Sequence, residues 1–127
     1  STAGTTVGVP SPTVPRTNTN GAVVVRVDKV GVQPSLLRPG DTVNLNATYT
    51  VLSPSEQLVA VRETREVRLN GELVANPTVE VARQTGTYSS ALPITLPANA
   101  RTGRYEVTTT VVSGDRQSSS TTSFSVQ

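Results

Sequence analysis

The densest group of chemically active side chains in this sequence lies between Arg62 and Arg68. Its acidic members are Glu63 and Glu66, and paired carboxylates can act as general acid and general base. Because they are three residues apart, a β-strand would point them to opposite faces, where they could not share a substrate. The alternation with Arg62, Arg65 and Arg68 favours a solvated charged surface, and a contact with another subunit is the alternative.

The same stretch contains a conflict between charge and position. Glu63 and Arg65 have the parity of Val61 and Val67, which would turn them towards a core. A bulge near Thr64 would resolve this conflict, and so would a strand whose middle leaves the core to meet a partner. The candidate contact surface consists of Arg62, Glu63, Arg65, Glu66 and Arg68.

Several kinds of chemistry are excluded by the residue types that are absent. The 127 residues include no Cys and no His, which excludes disulfides, thiolate nucleophiles, imidazole bases and the usual zinc ligands. Asp28, Asp41 and Asp115 are isolated and form no dense acidic loop of the kind that calcium needs. We therefore expect a chain that is not an enzyme, with no catalytic residues, no cofactor and no metal.

The charge distribution bears on partners and location. The net charge is +2, but the cations are spread from Arg16 to Arg116 without a cluster or interleaved aromatic residues, which argues against nucleic acid. No apolar run approaches the roughly 18 residues of a membrane span. The chain does not start with Met, as expected of a mature, processed product. We expect an extracellular or cell-surface location, with the periplasm as the alternative.

Residues 1–21 differ in composition from the rest of the chain. They are rich in Ser, Thr, Gly and Pro, and Pro10, Pro12 and Pro15 interrupt both helices and central strands. One interpretation is a flexible tether, which could carry a lipid anchor or a glycan. The other is a strand that is donated to the sheet of a neighbouring copy. The candidate residues of this assembly strand are the alternating Thr5, Val7 and Val9, followed by Val14.

Residues 22–127 show the pattern of an all-β domain. Short alternating segments are bounded by Gly, Pro, Asn or Asp, and the clearest runs from Val43 to Val51. The first strand, over residues 23–32, should kink or switch sheets where Asp28, Lys29 and Gly31 interrupt it. Pro93 predicts an edge position or a bulge in its strand, and the polar strand that ends at Phe124 should be an edge. We count seven or eight mainly antiparallel strands.

The segment from Glu56 to Leu69 is ambiguous. Ser53, Pro54 and Glu56 occupy positions that would cap a helix. The apolar residues of the segment, however, share one face of a strand, and the segment leads into Asn70-Gly71, the strongest short signal for a two-residue hairpin turn. The pattern favours a strand and leaves a helix as the alternative.

Two short motifs carry a resemblance to a known family. The run from Leu96 to Val107, with its Gly-x-Tyr, resembles the corner between strands E and F of bacterial immunoglobulin-like and fibronectin-type-III-like domains. Arg38 to Val43, with its Pro-Gly-Asp, resembles the start of strand B in such domains. The resemblance implies an immunoglobulin-like sandwich after an extended N-terminal segment. It also implies a structural corner, formed by Gly103 and Tyr105, in which the tyrosine hydroxyl caps the loop backbone.

The same resemblance implies a function, because such domains space, display, adhere or assemble on bacterial surfaces and in secreted proteins. We expect a non-enzymatic, extracytoplasmic structural or adhesive module whose partner is protein. One alternative is a subunit of a self-assembling extracellular filament that uses residues 1–21 as its inter-subunit strand. The other is an accessory carbohydrate-binding domain of a secreted enzyme, although the absence of Trp is unfavourable for stacking on sugars.

Overall fold

The computed structural model describes residues 23–127, which form an all-β sandwich of two sheets, as the sequence predicts. The predictions for Thr5, Val7, Val9 and Val14 lie outside the described residues. The strands are β1 (Val24–Gln33), β2 (Leu36–Leu37), β3 (Thr42–Leu52), β4 (Val59–Leu69), β5 (Glu72–Ala75), β6 (Thr78–Arg83), β7 (Gly86–Thr95), β8 (Gly103–Ser113) and β9 (Arg116–Val126). The two-residue β2, which pairs in parallel with the end of β9, is too short to leave a sequence pattern and brings the number of strands to nine.

The strands divide into a smaller and a larger sheet. The smaller sheet has the order β1-β3-β7, and the larger has the order β2-β9-β8-β4-β5, with β6 also paired with β4. The pairing of β1 with β3 shifts register between Val27 and Lys29, so the predicted irregularity near Asp28 is a local shift and β1 does not switch sheets. Pro93 lies on β7, which has β3 as its only paired neighbour among the described strands, so the predicted edge position is confirmed.

The ambiguous segment is a strand. After a single 3-10 turn over Pro54–Glu56, β4 runs from Val59 to Leu69 without interruption. Asn70 and Gly71 then turn the chain into β5 with φ angles of 53° and 82°, the positive values that a two-residue hairpin turn of this type requires. The apolar alternation therefore outweighs the helix-capping residues, because it buries one whole face of the strand.

The core consists of two apolar clusters, one at each end of the sandwich. The proximal cluster lies where β1 begins and contains Val25, Tyr49, Val51, Val61 and Val111. The distal cluster lies where β9 ends and contains Leu37, Val43, Leu45, Val67, Leu69, Leu96, Tyr105, Val107, Phe124 and Val126. Between them on β4 are Glu63 and Arg65, so a layer of polar side chains separates the two clusters.

The first and last strands of the sandwich run side by side. β1 starts at the proximal end, where Val24 faces Leu52, and β9 ends at the distal end, where Val126 faces Gly103. The backbone N–H of Val27 donates to the Ser118 hydroxyl over 2.9 Å and so joins the two strands directly. The chain therefore enters the sandwich at one end and leaves it at the other, and its two terminal strands point in the same direction.

Candidate functional site

The charged stretch of β4 is divided between two faces of its sheet. Arg62 points outwards and is exposed, and Glu66 and Arg68 point outwards and are partly exposed. Glu66 and Arg68 lie 3.7 Å apart, and Arg62 lies 3.5 Å from Glu80 on β6. Exposed ion pairs of this kind contribute little to stability. These three residues are therefore available on a surface, as a contact would require.

Glu63 and Arg65 are not on that surface, so the prediction that they belong to the contact surface is wrong. Their exposed fractions are 2% and 1%, respectively. The pairing of β4 with β8 runs without a register shift from Arg62 to Leu69, so no bulge at Thr64 turns the two side chains outwards. The strand stays regular and carries both charges inside, because partners from three other strands receive them.

The carboxylate of Glu63 is the centre of this buried network. The Tyr49 hydroxyl donates to Oε2, and the Ser90 hydroxyl donates to Oε1 over 2.6 Å. Two guanidinium groups lie slightly farther away, with Arg65 Nη1 at 3.8 Å and Arg83 Nη2 at 3.9 Å. Each carboxylate oxygen thus accepts one hydroxyl hydrogen bond, from β3 or β7, and lies at ion-pair distance from a guanidinium of β4 or β6. We call these five residues the polar belt.

The two arginines of the polar belt have different surroundings. Arg65 Nη2 donates to the hydroxyl and the carbonyl of Ser90 over 3.0 and 3.3 Å, whereas its Nε and Nη1 have no hydrogen-bond partner. Burial lowers the pKa of Arg65. Arg83 is more open, and its Nε donates to the Tyr49 hydroxyl over 3.2 Å, which raises the pKa of Arg83. Burial, followed by the bond to Glu63, raises the pKa of Tyr49 to about 12.

The corner implied by the family resemblance contains a tyrosine hydrogen bond. The Tyr105 hydroxyl donates to the carbonyl of Arg101 over 2.6 Å. Gly103 has a φ of 140°, and a Cβ at that position would lie 3.1 Å from Leu69 Cδ1. This backbone conformation favours glycine, so the Gly-x-Tyr spacing has a steric cause.

A second corner of the same kind was missed in the sequence. The Tyr88 hydroxyl donates to the carbonyl of Gln84, also four residues earlier, over 2.7 Å. Its ring lies under the guanidinium of Arg83, which is 4.5 Å from the ring centroid. The signal was present, because Gly86-Thr87-Tyr88 repeats the Gly-x-Tyr spacing.

The side of the sandwich between β6 and β7 is open. The inward-facing residues of both strands are only half-buried, unlike their counterparts on β3 and β8. On β7 these residues are Tyr88, Ser90, Leu92 and Ile94, and on β6 they are Val79, Val81 and Arg83. We call this side the open seam. The opposite side is covered where β1 lies along β9 and β2 pairs with the end of β9.

The hydrogen-bonding groups on the free side of β7 can be assigned from its register. Leu96 N–H donates to the carbonyl of Asp41 over 2.8 Å, at the β3 side of the sheet. Strand backbone groups alternate in direction, and β7 pairs with β3 without a shift. The N–H and C=O groups of Thr87, Ser89 and Ala91 therefore face the open side. Pro93 also faces that side, so its lack of an N–H does not remove a hydrogen bond to β3.

An apolar cavity of about 340 Å³ adjoins the distal end of the open seam. Its lining includes Val74 and Ala75 from β5, Ile94 from β7, and Pro97 and Ala100 from the loop that follows β7. Val74 is 42% exposed. Since apolar surface in contact with water favours burial, this end of the seam is suited to aliphatic side chains.

Two further features of the described residues bear on ligands and membranes. Within residues 23–127, no three acidic side chains come together as a metal site would need. In the same part of the chain there is no helix long and apolar enough to cross a membrane.

No protein-family model and no curated protein matches the sequence. Solved structures share the fold. One is the alkylpurine DNA glycosylase AlkC of Pseudomonas fluorescens, at a TM-score of 0.57 and 15% identity over 81% of this chain and 30% of that one. Another is the sporulation control protein Spo0M of Bacillus subtilis, at a TM-score of 0.58 and 14% identity over 84% of this chain and 50% of that one. A third is a family 123 glycoside hydrolase of Clostridium perfringens, at a TM-score of 0.57 and 14% identity over 83% of this chain and 27% of that one.

At these identities, the likeness concerns the fold alone. The chain spans at most half the length of the three proteins. Their glycosylase, sporulation and hydrolase names therefore describe whole proteins of which a sandwich of this kind is one part.

Proposed function

We propose that this chain is a non-enzymatic structural module with an immunoglobulin-like sandwich, which acts outside the cytoplasm as a spacer between protein partners. The observation that carries the proposal is the arrangement of β1 and β9. The chain enters at the proximal end of the sandwich and leaves at the distal end. A domain with its connections at opposite ends adds its full length to the distance between whatever it joins.

The same arrangement supports resistance to pulling. A force applied through residues 1 and 127 acts along β1 and β9 in opposite directions. The force therefore shears the contact between the strands, so that the hydrogen bonds along it bear the load at the same time and do not break one after another. The bonds include Val27 N–H to Ser118 between β1 and β9, and Gln127 N–H to the carbonyl of Leu37 over 2.9 Å, which joins the end of β9 to β2. The Ser/Thr/Pro-rich residues 1–21 would extend the spacer as a tether.

Single-molecule force spectroscopy on the full chain tests this function. Because the chain has no Cys, Ser1→Cys and Gln127→Cys provide specific handles for the end-to-end geometry. Thr102→Cys with Gln127→Cys provides a second geometry, which pulls β8 and β9 apart from their shared distal end. We expect a higher unfolding force in the first geometry, and equal or lower force there would refute the spacer function.

A matched pair of serines on β9 tests the mechanism. Ser118→Ala removes the bond to β1 and should lower the end-to-end unfolding force. Ser119→Ala makes the same chemical change on the exposed face of the strand and should leave the force unchanged. If both variants behave alike, the contact between β1 and β9 does not bear the load.

The open seam favours a second candidate function, that of a subunit in a self-assembling extracellular filament. β7 offers a free edge of ten residues, and the neighbouring inward-facing side chains are incompletely covered. A strand from another copy could use the edge for backbone bonds and the seam for its side chains. The segment that would be donated is the alternating part of residues 1–21.

Light scattering across a concentration series of the full chain tests the filament function. Ala91→Pro removes an N–H from the free side of β7 and should keep the chain monomeric, whereas the unmodified chain polymerises. Ala98→Pro places the same residue in the loop after β7 and serves as the control. A monomeric unmodified chain at every concentration would refute the filament function and leave the spacer in place.

An accessory carbohydrate-binding role has weaker support. The fold shared with a glycoside hydrolase favours it. Sugar-binding surfaces, however, need exposed aromatic rings, and Tyr49, Tyr105 and Phe124 are at most 5% exposed. The remaining ring, Tyr88, is half-buried beneath Arg83.

A further inference from the structure

We propose that the open seam is the acceptor site for residues Thr5–Val9 of a second copy of the chain, which add to β7 as a parallel strand. This inference rests on the filament function and gives it a defined site, direction and partner. It follows from the change from polar to apolar residues along the seam, which matches the same change along the segment.

The seam is polar at its proximal end and apolar at its distal end. Near the proximal end, Ser90 and Arg83 belong to the polar belt and present hydroxyl and guanidinium groups. Towards the distal end, the inward-facing residues of β7 are Leu92 and Ile94, and Ile94 lines the apolar cavity together with Val74. An inserted strand would therefore meet hydrogen-bonding partners first and aliphatic side chains afterwards.

The segment has the same order. Thr5, Val7 and Val9 share one parity, so they would enter the seam together while Thr6 and Gly8 face outwards. With Thr5 beside Ser90, Val7 falls beside Leu92 and Val9 beside Ile94. Pro10 then falls beside Thr95, where β7 ends, and terminates the added strand. The polar residue meets the polar end, and the two valines meet the apolar end.

This match fixes the direction of the segment. β7 runs from Gly86 at the proximal end to Thr95 at the distal end, so a segment with Thr5 proximal and Val9 distal is parallel to it. The free N–H and C=O groups of Ser89 and Ala91 are available to such a strand, as derived above from the register. An antiparallel segment would instead place Val9 against the polar belt and Thr5 in the apolar cavity, burying polar and apolar groups against the wrong partners.

The direction in turn identifies the occupant as a second copy. A parallel segment leaves the seam at its distal end, whereas β1 of the same chain begins at the proximal end, where Val24 faces Leu52. The two points are about 30 Å apart along nine residues of strand. The connecting residues 10–22 span about 40 Å only when fully extended. A return to their own β1 needs a chain reversal at each end, and each reversal takes about four residues out of that length, so the remainder is too short to cover the distance. The tail of another copy meets no such requirement.

Disulfide trapping on the full chain tests the proposal, because introduced cysteines have no native competitors. A chain with Val9→Cys is mixed with a chain with Ile94→Cys and treated with diamide, and products are identified by non-reducing electrophoresis and mass spectrometry. Neighbouring strands bring Cα atoms to about 5 Å, within the range that a disulfide spans. We expect a covalent dimer of one chain of each kind.

Two other mixtures serve as controls. Thr5→Cys with Ile94→Cys would cross-link only if the segment were antiparallel, and this result would overturn the proposed direction. Val14→Cys with Ile94→Cys probes the tail beyond the proposed strand and should give little product. If one chain that carries both Val9→Cys and Ile94→Cys forms a cross-linked monomer at high dilution, the segment docks on its own copy and the proposal is wrong.

The outcome for the filament function is separate. If the unmodified chain polymerises in light scattering and none of the mixtures cross-links, the filament stands and this acceptor site is refuted. If the unmodified chain stays monomeric, the filament function fails first, and the absence of cross-links follows from it.

Discussion

The two Glu-x-Arg pairs of β4 offer a direct measurement of what burial does to a charge. Glu63 and Arg65 point into the core, and Glu66 and Arg68 point to solvent, with the same spacing on the same strand. Glu63→Gln keeps the size and shape of the side chain but removes its charge. Glu66→Gln makes the identical change on the exposed face and is the matched control.

The expected difference follows from the surroundings of each carboxylate. Without the charge of Glu63, the buried guanidinium of Arg65 loses its counter-ion while two of its nitrogens already lack hydrogen-bond partners. Breaking a buried pair in this way costs about 3–5 kcal/mol of unfolding free energy. The exposed pair contributes about 0–1 kcal/mol. At about 4 °C per kcal/mol for a domain of this size, Glu63→Gln should lower Tm by roughly 12–20 °C.

Urea unfolding followed by circular dichroism and tyrosine fluorescence measures both variants, since the chain has no Trp. The midpoint should fall strongly for Glu63→Gln and hardly at all for Glu66→Gln, with unchanged slopes. Replacing both members, Glu63→Leu with Arg65→Leu, should recover only the part of the loss that comes from the unpaired charge of Arg65. The Tyr49 and Ser90 hydroxyls lose their acceptor in this variant as well. If the two glutamine variants lose the same free energy, the inward placement of Glu63 is refuted.

Three further predictions concern the corner, the polar belt and the edge. Tyr105→Phe removes the bond to the Arg101 carbonyl and should cost about 1 kcal/mol in urea unfolding, and no loss would contradict the corner. The raised pKa of Tyr49 means that the unfolded chain loses this proton first, so stability is complete below pH 10 and should fall as pH rises from 10 to about 12. Tyr49→Phe should flatten that part of a stability–pH curve, and an unchanged curve would contradict the assignment. Ala91→Pro should lower the free energy of unfolding by less than about 1.5 kcal/mol, because the N–H of Ala91 faces the open side. Leu92→Pro removes a hydrogen bond to β3 and should lower it by about 3 kcal/mol or more. If urea unfolding gives the reverse order, the assignment of which β7 residues face the open side is wrong.

Local pattern was sufficient to predict much of the fold. The alternation from Val43 to Val51 predicted β3, and Asn70-Gly71 predicted the hairpin between β4 and β5, because both signals depend on neighbouring residues only. Pro93 predicted an edge strand for the same reason, since the missing donor excludes a central position.

The polar belt could not be predicted in this way. The parity of Glu63 and Arg65 indicated the core, but their charge indicated solvent, and nothing within β4 decides between the two. The decision comes from Tyr49 and Ser90, which lie 14 and 27 residues from Glu63 in the chain. Burial of a charge depends on partners that only the assembled sheets bring together.

The division of the core by the polar belt also affects how the sandwich opens. Each apolar cluster has its own tyrosine corner, with Tyr88 packed against the proximal cluster and Tyr105 inside the distal one. Neither end relies on the other for its locking hydrogen bond. A separate locking hydrogen bond therefore lies on each side of the salt-bridged layer, and we expect amide exchange to report local opening of the two ends separately.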